Sequence, residues 1–175
     1  VLCMTNHRSL LKAWDGYATD NAERIICSGI GGSNWWLTQY TTSREDTVGI
    51  TRSPFFPYIA STKVYLCPEE QRETTARSYS FINRLNGNEG QSFLGPFAGK
   101  SMKVKSRLQI TDPSMALALV DEYDPRGHNI GPFLMYPGRS GWIDFPPVAH
   151  INGMNLGFVD GHVTKYVPVD DEPGS

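Results

Sequence analysis

Residues 156–167 read LGFVDGHVTKYV, two short runs rich in strand-forming residues, Leu156–Val159 and His162–Val167, on either side of Asp160-Gly161. Asp-Gly is favoured in the two-residue type I′ turn, because glycine accepts a positive φ without steric cost. The segment is therefore predicted to be a β-hairpin that closes the domain. A closing hairpin implies an antiparallel sheet, so the upstream chain must supply further strands. Met115–Val120 (MALALV) is apolar on both faces and reads as a central strand running into Asp121-Glu122. Ser78–Asn83 (SYSFIN) alternates polar and apolar residues and reads as another. Arg24–Ile30 and Lys63–Cys67 are shorter β-like pieces, the second stopped by Pro68. Phe55–Ile59 is interrupted by Pro57 and fits a helical turn better than a strand.

The first twenty residues carry a different period. Cys3, His7, Leu10, Trp14, Tyr17 and Asn21 fall on one helical stripe, and Met4, Leu11 and Ala18 fill the adjoining row. Arg8, Lys12 and Asp15 lie on other faces, and Asp20-Asn21 supplies a stop. One helix followed by antiparallel strands and long loops (residues 86–99 and 125–147) makes an α+β domain, with the helix stripe packed on the sheet.

Composition narrows the function. The 175 residues suit one domain, and 39% hydrophobic content with 17 Gly and 12 Pro is globular and turn-rich. The net charge of −2 leaves no basic stripe, so nucleic acid is not an expected partner. No apolar run reaches the ~18 residues that span a bilayer. The chain opens at Val1 with no charged n-region, which reads as a cut. Cys3, Cys27 and Cys67 allow one disulfide and one free thiol, and Cys3–Cys67, Cys27–Cys67 and Cys3–Cys27 all remain open.

Several groups are candidates for chemistry. His150, Asp160 and His162 would bind zinc if they converged, but a turn with a hydrogen-bonded latch from His150 to the hairpin explains the same residues. Asp121-Glu122 would offer carboxylate oxygens to calcium, or else form a solvated or arginine-paired acidic edge. Trp35-Trp36 would stack on a sugar, although core packing is the commoner use of tryptophan. Ser140 in GRSGW lacks a nucleophile-elbow pattern, and Gly29–Gly32 lacks the third glycine of a dinucleotide loop and reads as a turn.

Five of these segments together resemble one family. HINGMNLGFVDGH (His150, Asp160, Gly161, His162) is similar to the H-x9-DG signature of prepilin-type processing-associated, type IV pilin-like proteins. Cys3 and Asn6 with Tyr17, Asp20 and Asn21 resemble the start and end of the helix that follows the family's stem. Cys67-Pro68, then Ser78, Tyr79 and Asn83, then Pro113-Ser114 with Asp121-Glu122 match its later segments in the same order. The resemblance implies a pilin-like fold in which residues 1–22 end a longer stem helix and residues 23–175 form the head. It implies a missing leader and an apolar stem of about 20 residues. It further implies a non-enzymatic subunit of a type II secretion or type IV pilus-like system, exported and anchored in the inner membrane with its head in the periplasm, or in a surface filament. Its partners would be other pilin-like subunits and the assembly machinery, with no required cofactor. A cell-surface glycan- or peptide-binding module and a metal-dependent hydrolase are the alternatives.

Overall fold

The computed structural model describes residues 2–87, 103–124, 129, 131–134, 144 and 153–167. The predicted helix is α1, Leu2–Asp20. It buries Cys3, His7, Leu10, Leu11, Ala13, Trp14 and Ala18, and leaves Arg8, Lys12 and Asp15 exposed. Beyond Asp20 the Asn21 side chain donates to the Tyr17 carbonyl (2.8 Å), and the Glu23 N–H to that of Ala18 (2.8 Å). Ala22 and Glu23 both adopt left-handed backbone, with φ of 54° and 64°, and this turns the chain away.

A small two-stranded sheet follows. β1 (Cys27–Ile30) and β2 (Trp35–Leu37) pair in parallel across a turn in which Gly31 has φ 105°. Arg24, expected within the first strand, lies outside it in an isolated bridge to Ser106. A single turn, α2 (Val48–Thr51), and a 3-10 turn at Phe56–Tyr58 come next. Lys63–Cys67, read as β-like, is not a strand, because residues Thr62–Tyr65 wind into a 3-10 turn. The turn places Tyr65 in the core beside Trp36, and Leu66 beyond it is extended. Ser106 and Gln109 form a capping box around another such turn, Arg107–Gln109.

The main sheet is four-stranded and antiparallel throughout, in the order β3 (Tyr79–Phe81), β4 (Leu117–Asp121), β5 (Met154–Phe158), β6 (Val163–Tyr166). The α+β architecture with a helix on an antiparallel sheet and a terminal hairpin is therefore the observed one. β4 lies between β3 and β5, and Ala118, Leu119 and Val120 are fully buried, as its two-sided apolar pattern requires. One sheet face, with Leu119, Phe81, Tyr79 and Val163, joins α1 in the larger core. The other carries Val120, Ile82 and Met154 against Phe133.

The hairpin turn differs from the predicted one. Phe158 N–H donates to the His162 carbonyl (3.0 Å) and Gly161 N–H to that of Phe158 (2.9 Å). Gly161 has φ 89°, whereas Asp160 stays out of the positive-φ region. This is a three-residue loop, Val159–Gly161, closed by a glycine bulge, and not a type I′ turn. Asp160 favours it because at negative φ its carboxylate accepts from His162 N–H at 3.1 Å. The loop is tied back to the chain before β4, with Val159 N–H donating to the Ala116 carbonyl (2.9 Å) and Asp160 N–H to that of Pro113 (3.2 Å).

No helix among the described residues is long and apolar enough to cross a membrane.

Candidate functional site

A polar residue in an apolar helix stripe needs a partner, since burying it unpaired costs roughly 1–3 kcal/mol. His7 is such a residue, fully buried between Cys3 and Leu10. Its Nε2 lies 2.9 Å from Asp121 Oδ1 at the end of β4. The other oxygen, Asp121 Oδ2, accepts from the backbone N–H of Asn155 (2.6 Å) and from its side-chain amide (2.9 Å). The His7 ring also meets Tyr79 edge-on, with centroids 4.7 Å apart. One imidazole therefore joins α1 to β3, β4 and β5.

Neighbouring residues of the helix extend this clamp. The Asn6 amide donates to the Tyr79 hydroxyl (3.2 Å) and to the Leu66 carbonyl (3.1 Å). Burial and then the Asp121 charge push the Tyr79 hydroxyl pKa up, although the Asn6 bond works the other way. Next to Leu66, Cys67 forms a disulfide with Cys3, one of the three pairings the sequence allowed. Closing a loop of 64 residues is worth about 4 kcal/mol in the loop-entropy account. Cys27 is the free thiol, and burial raises its pKa. The helix can lie this close to the sheet because β5 has Gly157 beneath it. A Cβ there would come within 2.9 Å of Leu11 Cδ1 and 3.3 Å of His7 Nδ1.

His7 and Asp121 form an imidazole–carboxylate pair like that of a hydrolase triad, but the ring is fully buried and its Nδ1 has no hydrogen-bond partner among the described residues. The pair is placed to hold a helix down and offers no surface to a substrate.

A second buried network lies on the opposite face. Arg77 and Glu122 are fully enclosed and paired at 3.2 Å. Arg77 also donates to the Tyr79 and Gly131 carbonyls (both 2.9 Å) and to Ser80 Oγ, whose hydroxyl bonds Glu122. Burial pushes the Glu122 pKa up and that of Arg77 down, so desolvation outweighs their attraction in both partners. Beside them Glu70 and Arg72 pair at 2.6 Å.

The residues singled out from sequence are distributed as follows. Asp121 and Glu122 do not form a paired calcium-type carboxylate site or a solvated edge; Glu122 is arginine-paired, through Arg77, as the other reading allowed, whereas Asp121 takes His7. Successive strand residues face opposite ways, and each carboxylate is buried against its own partner. Trp35 and Trp36 do not make a joint stacking platform. Trp36 is fully buried between Tyr65, Phe81 and the Arg77 guanidinium, and half-buried Trp35 covers Gly29 and Gly32. Asp160 and His162 do meet, with Oδ1 2.6 Å from Nδ1, and the imidazole stacks on Phe158 at 4.2 Å. The His162 N–H holds the Asp160 carboxyl below its usual range. His150, the expected latch and third zinc ligand, lies outside the described residues, as does Ser140. Among the described residues no group of three or more His, Cys, Asp or Glu is placed to hold a metal ion.

His7, Asn155, Arg77 and Arg72 were not picked out as site residues from sequence. Only His7 carried a signal, as a titratable side chain inside an apolar stripe. No family model matches the chain, and no curated protein or solved structure is significantly similar to it.

Proposed function

We propose that this chain is the globular head of a type IV pilin-like structural subunit, with α1 as the end of a longer stem helix. The supporting observation is a convergence. Cys3, Asn6, Cys67, Tyr79 and Asp121 carry the family resemblance from distant parts of the chain, and all meet at the first two turns of α1. A disulfide, an amide and a buried imidazole fasten these turns to the sheet. Such fastening is what a subunit needs if its stem is packed into a filament and its head must follow the stem rigidly.

The disulfide adds an argument about compartment. Structural disulfides persist in oxidising surroundings such as the periplasm or cell surface, in keeping with an exported head. In this reading the work of secretion or extension comes from the assembly machinery. The head contributes shape and partner surfaces, needs no active site, and contacts other pilin-like subunits.

Protease accessibility of the natural full-length protein in spheroplasts tests the proposal. The expected result is a membrane-anchored protein whose head is digested from the outside while an apolar fragment stays with the membrane. A protein released freely from the cells, or one protected until they are lysed, would overturn it.

A further inference from the structure

The Cys3–Cys67 disulfide is connected to more than the helix it staples. Cys67 N–H donates to Ser78 Oγ (3.1 Å), and the Ser78 hydroxyl donates to Glu70 Oε2 (2.9 Å). Glu70 grips Arg72 through two bonds, Nε to Oε1 at 2.9 Å and Nη2 to Oε2 at 2.6 Å. Arg72 then donates to Asn129 Oδ1 (3.0 Å) and to the Glu122 carbonyl (3.2 Å). Asn129 Oδ1 also accepts from the Asp124 N–H (3.3 Å). Between these two anchors sits Tyr123, 46% exposed, with the Arg72 guanidinium 4.6 Å from its ring centroid.

The Glu70 and Arg72 side chains are only 8% and 9% exposed, so water does not readily replace a lost bond at either. Ser78 is the side-chain link between Cys67 and this ion pair, beside a backbone bond from the Glu70 N–H to the Cys67 carbonyl (3.0 Å). It accepts from one neighbour and donates to the next, and so senses the position of the Cys67 backbone.

We propose that the Cys3–Cys67 disulfide is a redox-sensitive device whose state sets, through Ser78, Glu70 and Arg72, the order of the Glu122–Asp124 segment and its exposed Tyr123. Reduction by a dithiol delivers two electrons and two protons. The S–S bond breaks, Cys3 and Cys67 become thiols, and the reductant leaves as its own disulfide. Cys67 then loses its covalent tie to α1, the donor to Ser78 shifts, and Glu70 loses the bond that orients it towards Arg72. The guanidinium in turn releases Asn129 and the carbonyl that frames Tyr123. This goes beyond the head-subunit reading and does not depend on it.

Hydrogen exchange followed by mass spectrometry tests the device in a Cys27→Ser protein, where the free thiol cannot join the exchange. Reduction with dithiothreitol is expected to speed exchange about tenfold in peptides covering 66–79 and 122–124 as well as 2–10, with 154–166 still protected. Acceleration confined to 2–10, or no acceleration, overturns the proposal. If reduction unfolds the whole domain, oxidised Ser78→Ala decides. The device requires 122–124 to lose protection while 2–10 keeps it, and full protection at 122–124 overturns it.

Discussion

Asp121 and Glu122 are adjacent in sequence, yet their carboxylates serve opposite faces of the sheet, Asp121 receiving His7 from α1 and Glu122 receiving Arg77 beside β3. The dipeptide is thus a two-sided fastener at the end of β4. Each half is buried, and each is costly to leave alone.

The first half is open to a double-mutant cycle. His7→Ala and Asp121→Ala each leave a buried polar partner behind, and each is expected to destabilise by about 3 kcal/mol. Because they remove one shared interaction, the double variant should fall short of the sum by about 1–3 kcal/mol. Urea unfolding of the four proteins measures this. Additive costs would mean that the contact carries no coupling energy.

Two glycines on the same hairpin separate two physical causes. Gly157→Ala sets a methyl 2.9 Å from Leu11 Cδ1 and should cost roughly 1–3 kcal/mol by pushing α1 off the sheet. Gly161→Ala meets nothing within 4 Å, and its cost should be only the ~1–2 kcal/mol of a left-handed alanine. Gly161→Asn should recover much of that loss, while Gly157→Asn should be worse than Gly157→Ala. Denaturant midpoints for the four variants decide.

The end of α1 offers a gain. Ala22 has φ 54°, so Ala22→Gly relieves strain there, and even after the added freedom of the unfolded chain should raise stability by about 0.5–1 kcal/mol. A lower thermal midpoint for this variant would contradict the assignment of Ala22 to the left-handed region.

Acid should loosen the Glu70 end of the second network. Burial alone would raise the Glu70 pKa, but the Arg72 bonds and the Ser78 hydroxyl bring it below its ordinary 4.5. A depressed folded-state pKa means that this stability is present above pH 4.5 and is lost as the pH falls through the lower folded value. Glu122 has the opposite sign. Its raised pKa favours the folded state below the unfolded value, and this contribution is lost as the pH rises through the folded one. In Glu70→Gln the fall in stability below pH 4.5 should therefore be shallower than in the parent. Equal slopes in urea titrations across that range would exclude Glu70 as a source of the acid sensitivity.

The large elements were legible in the sequence because each carries a strong period. The stripe from Cys3 to Ala18, the two-sided run at β4 and the Asp-Gly hairpin follow from residue spacing alone. The turn type did not follow, since glycine after aspartate suits a type I′ turn and a bulged three-residue loop equally well. Lys63–Cys67 has strand composition, yet a 3-10 turn over Thr62–Tyr65 accompanies the burial of Tyr65 beside Trp36, a contact no local pattern announces. The clamp was half legible. Cys3 and His7 were visible as stripe residues, but their partners Cys67 and Asp121 lie 64 and 114 positions away, beyond any local pattern.

The mature N-terminus of the natural full-length protein is the most direct measure of whether α1 continues into a stem. Intact mass and N-terminal sequencing should find a short leader removed and an apolar helical segment of about 20 residues retained ahead of Leu2. Cleavage that leaves no such segment, as an ordinary secretory signal would, contradicts the pilin-like reading.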